Sequence, residues 1–431
     1  MSAPVALLVA VFIIGGVIRM PIGFTMISGG ILYLLAAGRD MGLAGEQILN
    51  GLFQSFVLLA VPLFIFAANV MDAGTISQRL LSFALALVGR MRGGLAHVNV
   101  VASLIFSGMS GSAIADAAGI GRVIINMMVR EGRYSPGFSA AITAASATIG
   151  PIIPPSIPMV LYALVSDTSV GFLFLGGIVP GLIMAALLMI AVSLIARARA
   201  FPIEDPIPRR ELPGIVARAT PPLLMPVILL GGIYGGVATP TEAAAIAAGY
   251  ALVLAVIGYR ALGVGDIVRL LVDSARASAV VAMIIAGAFV FNFIVAIEGL
   301  PNALAGWLSS VELSPLVFLL LVNALFLVLG AFLDTITLLL ILVPLLIPSV
   351  RALGLDTVHF GVVIVVNMMI GLVTPPYGVL LFVINGLTGI PLKDMVREIW
   401  PFIGILVAAL LVIVLLPDLV LWVPRRLGYA G

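Results

Sequence analysis

No cysteine occurs in the 431 residues of the chain. Disulfides, zinc–thiolate sites, iron–sulfur ligation and thiol nucleophiles are excluded with it. Histidine is almost as scarce: His97 and His359 are the only two, too few for a haem pair or a multi-histidine metal site. Charge is thin as well. Charged residues make up 9% of the chain, with 21 Lys+Arg against 19 Asp+Glu, a net charge of +2, and Lys393 as the sole lysine. A soluble domain carries about 25% charged residues, so these cannot solvate a surface of this size. A soluble enzyme is excluded, and so is a nucleic-acid binder, which needs a basic face. The 62% hydrophobic content excludes disorder. What is left is a polytopic integral membrane protein embedded in a lipid bilayer.

The chain is rich in what such a protein needs. Apolar runs lie at about 4–18, 21–37, 52–71, 136–165, 168–196, 219–236, 240–259, 277–297, 357–388 and 399–423, and these ten read as crossings. The start, Met1-Ser2-Ala3-Pro4, lacks a basic leader and reads as a retained first helix. Runs 136–165 and 357–388 are too long for one straight helix and contain Pro pairs. Stretches 95–130 and 314–350 are apolar but interrupted by Gly and polar residues, and read as re-entrant hairpins. The stretch Ile76–Val88, flanked by Arg79, Arg90 and Arg92, reads as a helix along the interface. The segment Arg197–Arg218, with Pro202, Pro206, Pro208 and Pro213 among charges, is a linker. It divides a first half, 1–198, from a second, 219–431, with 199–218 between them.

The halves repeat. Gly150-Pro151-Ile152-Ile153-Pro154-Pro155-Ser156 matches Gly371-Leu372-Val373-Thr374-Pro375-Pro376-Tyr377 at an offset of 221, and Asp116 falls opposite Asp334 at 218. Five crossings plus one hairpin per half make the second half inverted relative to the first. With the N-terminus outside, 17 basic residues fall inside and four (Arg39, Arg351, Arg425, Arg426) outside, as the positive-inside rule requires. The linker is then cytoplasmic, and the hairpins enter from opposite faces.

Broken backbone at membrane depth is costly unless it is buried in protein or lines a polar cavity. Four places demand it: Ser107–Asp116, Gly150–Pro158, Gly330–Thr337 and Gly371–Gly378. Proline removes amide donors and leaves carbonyls a turn earlier unpaired. Such carbonyls, with Ser and Thr oxygens, suit a dehydrated hard cation such as Na⁺, and half-helix N-termini suit a carboxylate. Asp116 and Asp334 are intramembrane carboxylates, functional by default. Each either ligates the cation or caps a broken helix, and the two roles are compatible. Glu242, after Thr239-Pro240-Thr241, reads as a helix-start residue. Asn69, Asn99, Asn126, Asn292, Asn323 and Asn385 read as glue between helices. Asn367, one turn before Gly371, is the best site candidate among the asparagines. His97 and His359 read as interfacial. The rival readings are an intramembrane serine protease built on Gly108-Met109-Ser110-Gly111, which lacks a histidine base in reach, and a passive channel, which needs a continuous lining.

The run Gly108-Met109-Ser110-Gly111-Ser112-Ala113-Ile114-Ala115-Asp116, the break Ile149–Ser156 and the break Gly371–Gly378 resemble the large membrane subunit of tripartite ATP-independent periplasmic (TRAP) transporters, the DctM/SiaM type. The Pro-Pro breaks and hairpin tips are shared more widely with stand-alone sodium-coupled dicarboxylate carriers of the ion-transporter superfamily. The resemblance implies an all-α, elevator-type fold of two inverted-topology repeats, each with about five crossings, a hairpin and a Pro-broken helix. It implies a sodium-driven importer of an organic acid in a bacterial inner membrane, with Na⁺ as coupling ion and no organic cofactor. The partners would be a small four-helix membrane subunit on a separate chain and a periplasmic substrate-binding protein. By match, Ser110, Gly111, Ser112 and Asp116 with Gly150, Pro154, Pro155 and Ser156 would build one cation site. Asp334, Thr335 and Thr337 with Asn367, Gly371, Thr374, Pro375 and Tyr377 would build its counterpart. Ser110, Ser112, Ser156, Thr335 and Thr374 would reach the substrate carboxylates, and no Arg would enter the cavity unless Arg122 turns inward.

Overall fold

The computed structural model describes residues 3–73, 76–205, 207–311 and 313–431, the side chains of residues 131 and 309 excepted, so Pro206 of the linker lies outside the described residues. Among the described residues every regular element is helical. Among the described residues seven helices are long and apolar enough to cross a membrane: Phe56–Ala73, Val170–Ala198, Leu212–Tyr234, Pro240–Gly258, Val264–Ile297, Thr335–Ala352 and Leu392–Leu415. Ten crossings are expected from the sequence, and the difference has local causes. The first two helices, Ala3–Val17 and Ile22–Ala36, have 15 residues each. The Pro-containing runs are split into Pro136–Ala147 with Ile157–Ser166, and Thr357–Gly371 with Val379–Thr388. Chain order repeats across the linker. A pair of helices, a third element (broken into Gly42–Gln54 and Phe56–Ala73 in the first half, continuous as Val264–Ile297 in the second), a short helix, a hairpin, a split helix and a long helix occur in each half, and the matching hairpin legs start at Gly94 and Pro315.

Packing crosses between the halves reciprocally. Ile22–Ala36 lies on Val264–Ile297, while its counterpart Pro240–Val253 lies on Ala60–Ala73. The third elements, Ala60–Ala73 and Val264–Ile297, also pack on each other. Small residues allow the close approach that membrane helices use in place of a hydrophobic drive: a Cβ at Gly23 would stand 2.6 Å from the Met283 carbonyl oxygen. Polar side chains tie helices further: Asn69 donates to Ser274 Oγ at 2.8 Å between the third elements, and Asn292 donates to the Leu340 carbonyl at 3.1 Å, joining Val264–Ile297 to Thr335–Ala352. Two other asparagines also join helices, through Asn99 to Thr143 and Asn367 to Asn323. Asn385 instead donates to the Ile390 carbonyl in its own turn. Glu242 closes a capping box with Thr239.

Both interrupted stretches double back. Gly94–Ser110 is the first leg of one hairpin, and the chain returns through Ala113–Asp116, a π-helical turn at Ala117–Gly121 and Arg122–Val129. Asn99 near its start lies 3.9 Å from Met128 Sδ near its end. The second hairpin runs out along Pro315–Gly330 and back along Thr335–Ala352. Its return leg packs on Leu300–Ser310, the helix that leads into the outgoing leg. Length and apolarity alone would make Thr335–Ala352 a crossing, but its packing brings it back to where the hairpin began.

The hairpins start at opposite ends of the molecule. The first is tied to the linker by Gly93 N–H donating to the Pro202 carbonyl at 2.9 Å and by an Arg133–Glu204 ion pair at 2.8 Å. The second is tied to the other end by Arg351 donating to the Ser166 carbonyl at 3.0 Å. Val170–Ala198, of 29 residues, joins the two ends, a length of about 43 Å at 1.5 Å per residue. Trp307, Trp400 and Trp422 are exposed, as aromatic belts at a bilayer boundary require. The helix Ile76–Val88 packs on the first hairpin and on Leu212–Tyr234.

Single cysteines test the doubling-back without interference from native thiols. Arg92→Cys and Arg133→Cys flank the first hairpin, and Ser314→Cys and Arg351→Cys the second. A membrane-impermeant maleimide is expected to label the first pair from one face of the membrane and the second pair from the other. Labelling of the two feet of one hairpin from opposite faces would contradict the fold.

A candidate ion and substrate cavity between the hairpin tips

The two tips meet at one cavity of about 460 Å³. Its wall takes Ser110–Ala115 from the first tip and Asp334–Ile336 from the second, Pro151, Ile157 and Pro158 from one break, Leu372 and Val379 from the other, and Asn69 and Val281 from the third elements. All four interrupted segments and both third elements therefore converge. Among the described residues no Lys, Arg or His lines it, and Arg122 is exposed.

Each tip has a local reason for its shape. The first leg ends at Gly111, whose φ of +60° favours glycine. A Cβ there would also stand 2.5 Å from the Pro155 carbonyl oxygen, so the tip is seated on the Pro-Pro break. Ser112 caps the returning segment, its hydroxyl accepting from the Ala115 N–H at 3.4 Å. At the second tip Asp334 has this role, accepting from Ile336 N–H at 2.9 Å, Thr337 N–H at 3.2 Å and the Thr337 hydroxyl. Gly371 rests directly on the Gly330 backbone, where a Cβ would stand 2.8 Å from the carbonyl carbon.

The caps correct the register of the repeat. Ser112, not Asp116, is the structural counterpart of Asp334, and Asp116 falls opposite Leu338. The two aspartates therefore do different things. Both carboxylate oxygens of Asp334 are engaged by its own helix start. Asp116 is 1% exposed. One of its oxygens accepts from the Ser110 hydroxyl. The other is buried without a hydrogen-bond partner and lies against Gly150. An unpaired buried carboxylate is expensive, and Asp116 lies off the cavity wall. Thr335 Oγ1, on the cavity wall, and Asn367 Oδ1 are likewise buried without partners.

Other expected members are held elsewhere. The Ser156 hydroxyl donates to the Pro151 carbonyl and accepts from Met159 N–H at 3.2 Å, so it caps Ile157–Ser166. The Thr374 hydroxyl donates to the Ile370 carbonyl at 2.7 Å. Neither lines the cavity. Asn367 donates to Asn323 Oδ1 at 2.7 Å, behind the second tip. Tyr377 is exposed and its ring lies 4.9 Å from that of Phe382. Thr337 serves the Asp334 cap. Peptide bonds Pro154–Pro155 and Pro375–Pro376 are cis. Both histidines are buried in protein near the starts of their helices: His97 lies 3.3 Å from Ser193 Oγ and His359 3.0 Å from the Ile413 carbonyl. Ser110 thus has an aspartate and no histidine beside it, which removes the base that a serine protease needs.

One cluster was not foreseen. Behind the first tip, Asn99, Ser103, Thr143 and Ser146 form a buried network: Asn99 donates to Thr143 Oγ1 at 2.6 Å, and Ser146 to Asn99 Oδ1 at 3.0 Å. Its signal was the helical spacing of Ser139, Thr143 and Ser146 facing that of Asn99 and Ser103.

Substitutions separate the two aspartates. Asp334→Ala removes a cap and should lower stability by about 1 kcal/mol. Asp116→Asn should leave the sodium-free melting temperature at or above that of the parent and remove the stabilisation that sodium gives, which is about 2.7 kcal/mol at a hundredfold excess over Kd. Thermal unfolding with and without NaCl at constant ionic strength reads both. Equal sodium stabilisation in Asp116→Asn and the parent would contradict the assignment.

The comparisons with known proteins agree with this architecture. Residues 8–419 match the family model described as tripartite ATP-independent periplasmic transporter, DctM component. The sialic acid TRAP transporter large permease protein SiaM of Vibrio cholerae serotype O1 is 42% identical, with 95% of this chain and 96% of the relative covered. The C4-dicarboxylate TRAP transporter large permease protein DctM of Pseudomonas aeruginosa is 40% identical, over 87% and 88%. Among solved structures, the Alcanivorax borkumensis YdaH transporter superposes with a TM-score of 0.62 at 16% identity, covering 89% of each chain, a likeness of fold alone. The chain is a multi-pass membrane permease and not an enzyme: it belongs to the DctM family, the large permease component of the TRAP transporters.

Proposed function

We propose that the chain is a sodium-coupled importer of an organic acid, working with a small four-helix membrane subunit and a periplasmic binding protein that delivers the acid. The observation that carries this reading is the wall of the shared cavity. It brings two capped helix starts, at Ser112 and Asp334, to one space and contains no basic side chain. A carboxylate placed there meets helix N-termini, which favour anions, but no side chain of opposite charge. A bound cation supplies that charge. Thr335 Oγ1, on the wall, is unpaired and available to it, with carbonyls freed by the Pro-Pro breaks. Asp116 Oδ2 and Asn367 Oδ1 are unpaired too but do not line the wall, so they serve a cation seated behind the tips. Acid and cation then bind together or poorly, which is the thermodynamic content of coupling.

Movement follows from which elements are joined to which. The hairpins and split helices supply most of the cavity wall, and the reciprocal pairs around Ala60–Ala73 and Val264–Ile297, which add Asn69 and Val281 to it, are the scaffold they move against. We read the two halves, 1–198 and 219–431, as inverted repeats, with the linker 199–218 cytoplasmic in a bacterial inner membrane. The hairpin-bearing unit slides against the scaffold as an elevator. The names of the relatives, sialic acid and C4-dicarboxylate permeases, support an acid as cargo.

The test uses proteoliposomes holding the permease and its small subunit, with the binding protein loaded with radiolabelled acid outside. Uptake is expected under an inward sodium gradient and should fall to background when potassium replaces sodium. Equal uptake in both cases would refute sodium coupling.

A further inference from the structure

A second cavity shares no lining residue with the first and lies between the start of Ile76–Val88 and the start of Leu212–Tyr234, the helix into which the linker runs. It has a volume of about 390 Å³ and is lined by Gln78, Arg79, Ser82, Ile215 and Arg218. Helical spacing builds it. Gln78 and Ser82 are one turn apart on one helix and Ile215 and Arg218 on the other. Two guanidinium groups thus share a cavity that, among the described residues, no carboxylate lines.

The next cavity along the same helix makes the contrast. It holds Arg90 and Arg209 together with Glu204 and Asp205, so its charge is balanced from within. Elsewhere Arg199 pairs with Glu398 at 2.8 Å. Arg79 instead lies over the Tyr259 ring, 3.8 Å from its centroid, and its buried Nε has no hydrogen-bond partner. The ring is itself fixed, because the Tyr259 hydroxyl donates to the Arg218 carbonyl at 2.8 Å. One guanidinium is therefore held in place with a donor unused, next to a second that is exposed. Planar arginine forks match phosphate oxygens. The apolar side chains of Val216, Val253 and Ile257 nearby in sequence are exposed, as a surface facing acyl chains would be.

We propose that this cavity binds the phosphate headgroup of an anionic phospholipid. The shared chemistry would also admit free phosphate, and the exposed apolar flank argues for the lipid. The site lies where Ile76–Val88 bridges the first hairpin and the scaffold helix Leu212–Tyr234, so occupancy fastens the seam between them. This inference stands independently of sodium coupling.

The experiment uses the detergent-solubilised permease with its small subunit, titrated with phosphatidylglycerol, phosphatidylcholine or inorganic phosphate. Native mass spectrometry counts bound lipid, and thermal unfolding reports stabilisation. Saturable binding and stabilisation by phosphatidylglycerol are expected, with neither from phosphatidylcholine. Arg79→Gln with Arg218→Gln should weaken phosphatidylglycerol binding by about tenfold or more. Arg218→Gln alone, at an exposed position, gives the same direction if the double variant fails to fold. Equal binding of the two lipids, or variants that bind as the parent does, would overturn the proposal. Stabilisation by inorganic phosphate equal to that by phosphatidylglycerol would overturn its lipid part.

Discussion

Backbone that is not helical must find partners when it lies at the depth of the hydrocarbon. Everything specific about this protein follows from where it places four such segments. Two hairpin tips and two Pro-containing breaks are packed against each other in pairs, Gly111 on the Pro155 carbonyl and Gly371 on the Gly330 backbone. All four segments also contribute residues to one cavity between the tips, which we read as the site.

The two halves reach this arrangement by related but unequal chemistry. The second tip satisfies its carboxylate internally, through the Asp334 cap. The first uses a neutral Ser112 as cap and keeps Asp116 one turn further on, with an oxygen unpaired. Behind the tips the difference recurs. The first half has a four-membered polar network from Asn99 to Ser146, and the second has the Asn323–Asn367 pair. Repetition of the backbone has left room for the side chains to specialise.

Much of this was legible from residue types. Gly and Pro in apolar stretches mark where the helices end at Ser110, Ala147, Gly330 and Gly371, because these residues act on the backbone directly. The linker was marked by its charge. The register of the repeat was misread because Ser and Asp are interchangeable as helix caps, so matching Asp116 to Asp334 by identity gave the wrong partner. The roles of Ser156 and Thr374 were hidden for a related reason. A hydroxyl at a break can line a cavity or satisfy its own backbone, and only the rotamer decides. The polar network around Asn99 depends on a contact across 44 residues, which local spacing suggests but does not fix.

The central claim is that cation and acid occupy the tip cavity together. Equilibrium binding of radioactive sodium to the purified permease with its small subunit, at fixed ionic strength and with increasing organic acid, tests it most directly. The account predicts that a cargo acid tightens sodium binding and that sodium tightens binding of that acid by the same factor. Sodium binding that stays the same while an acid is shown to be bound would contradict it.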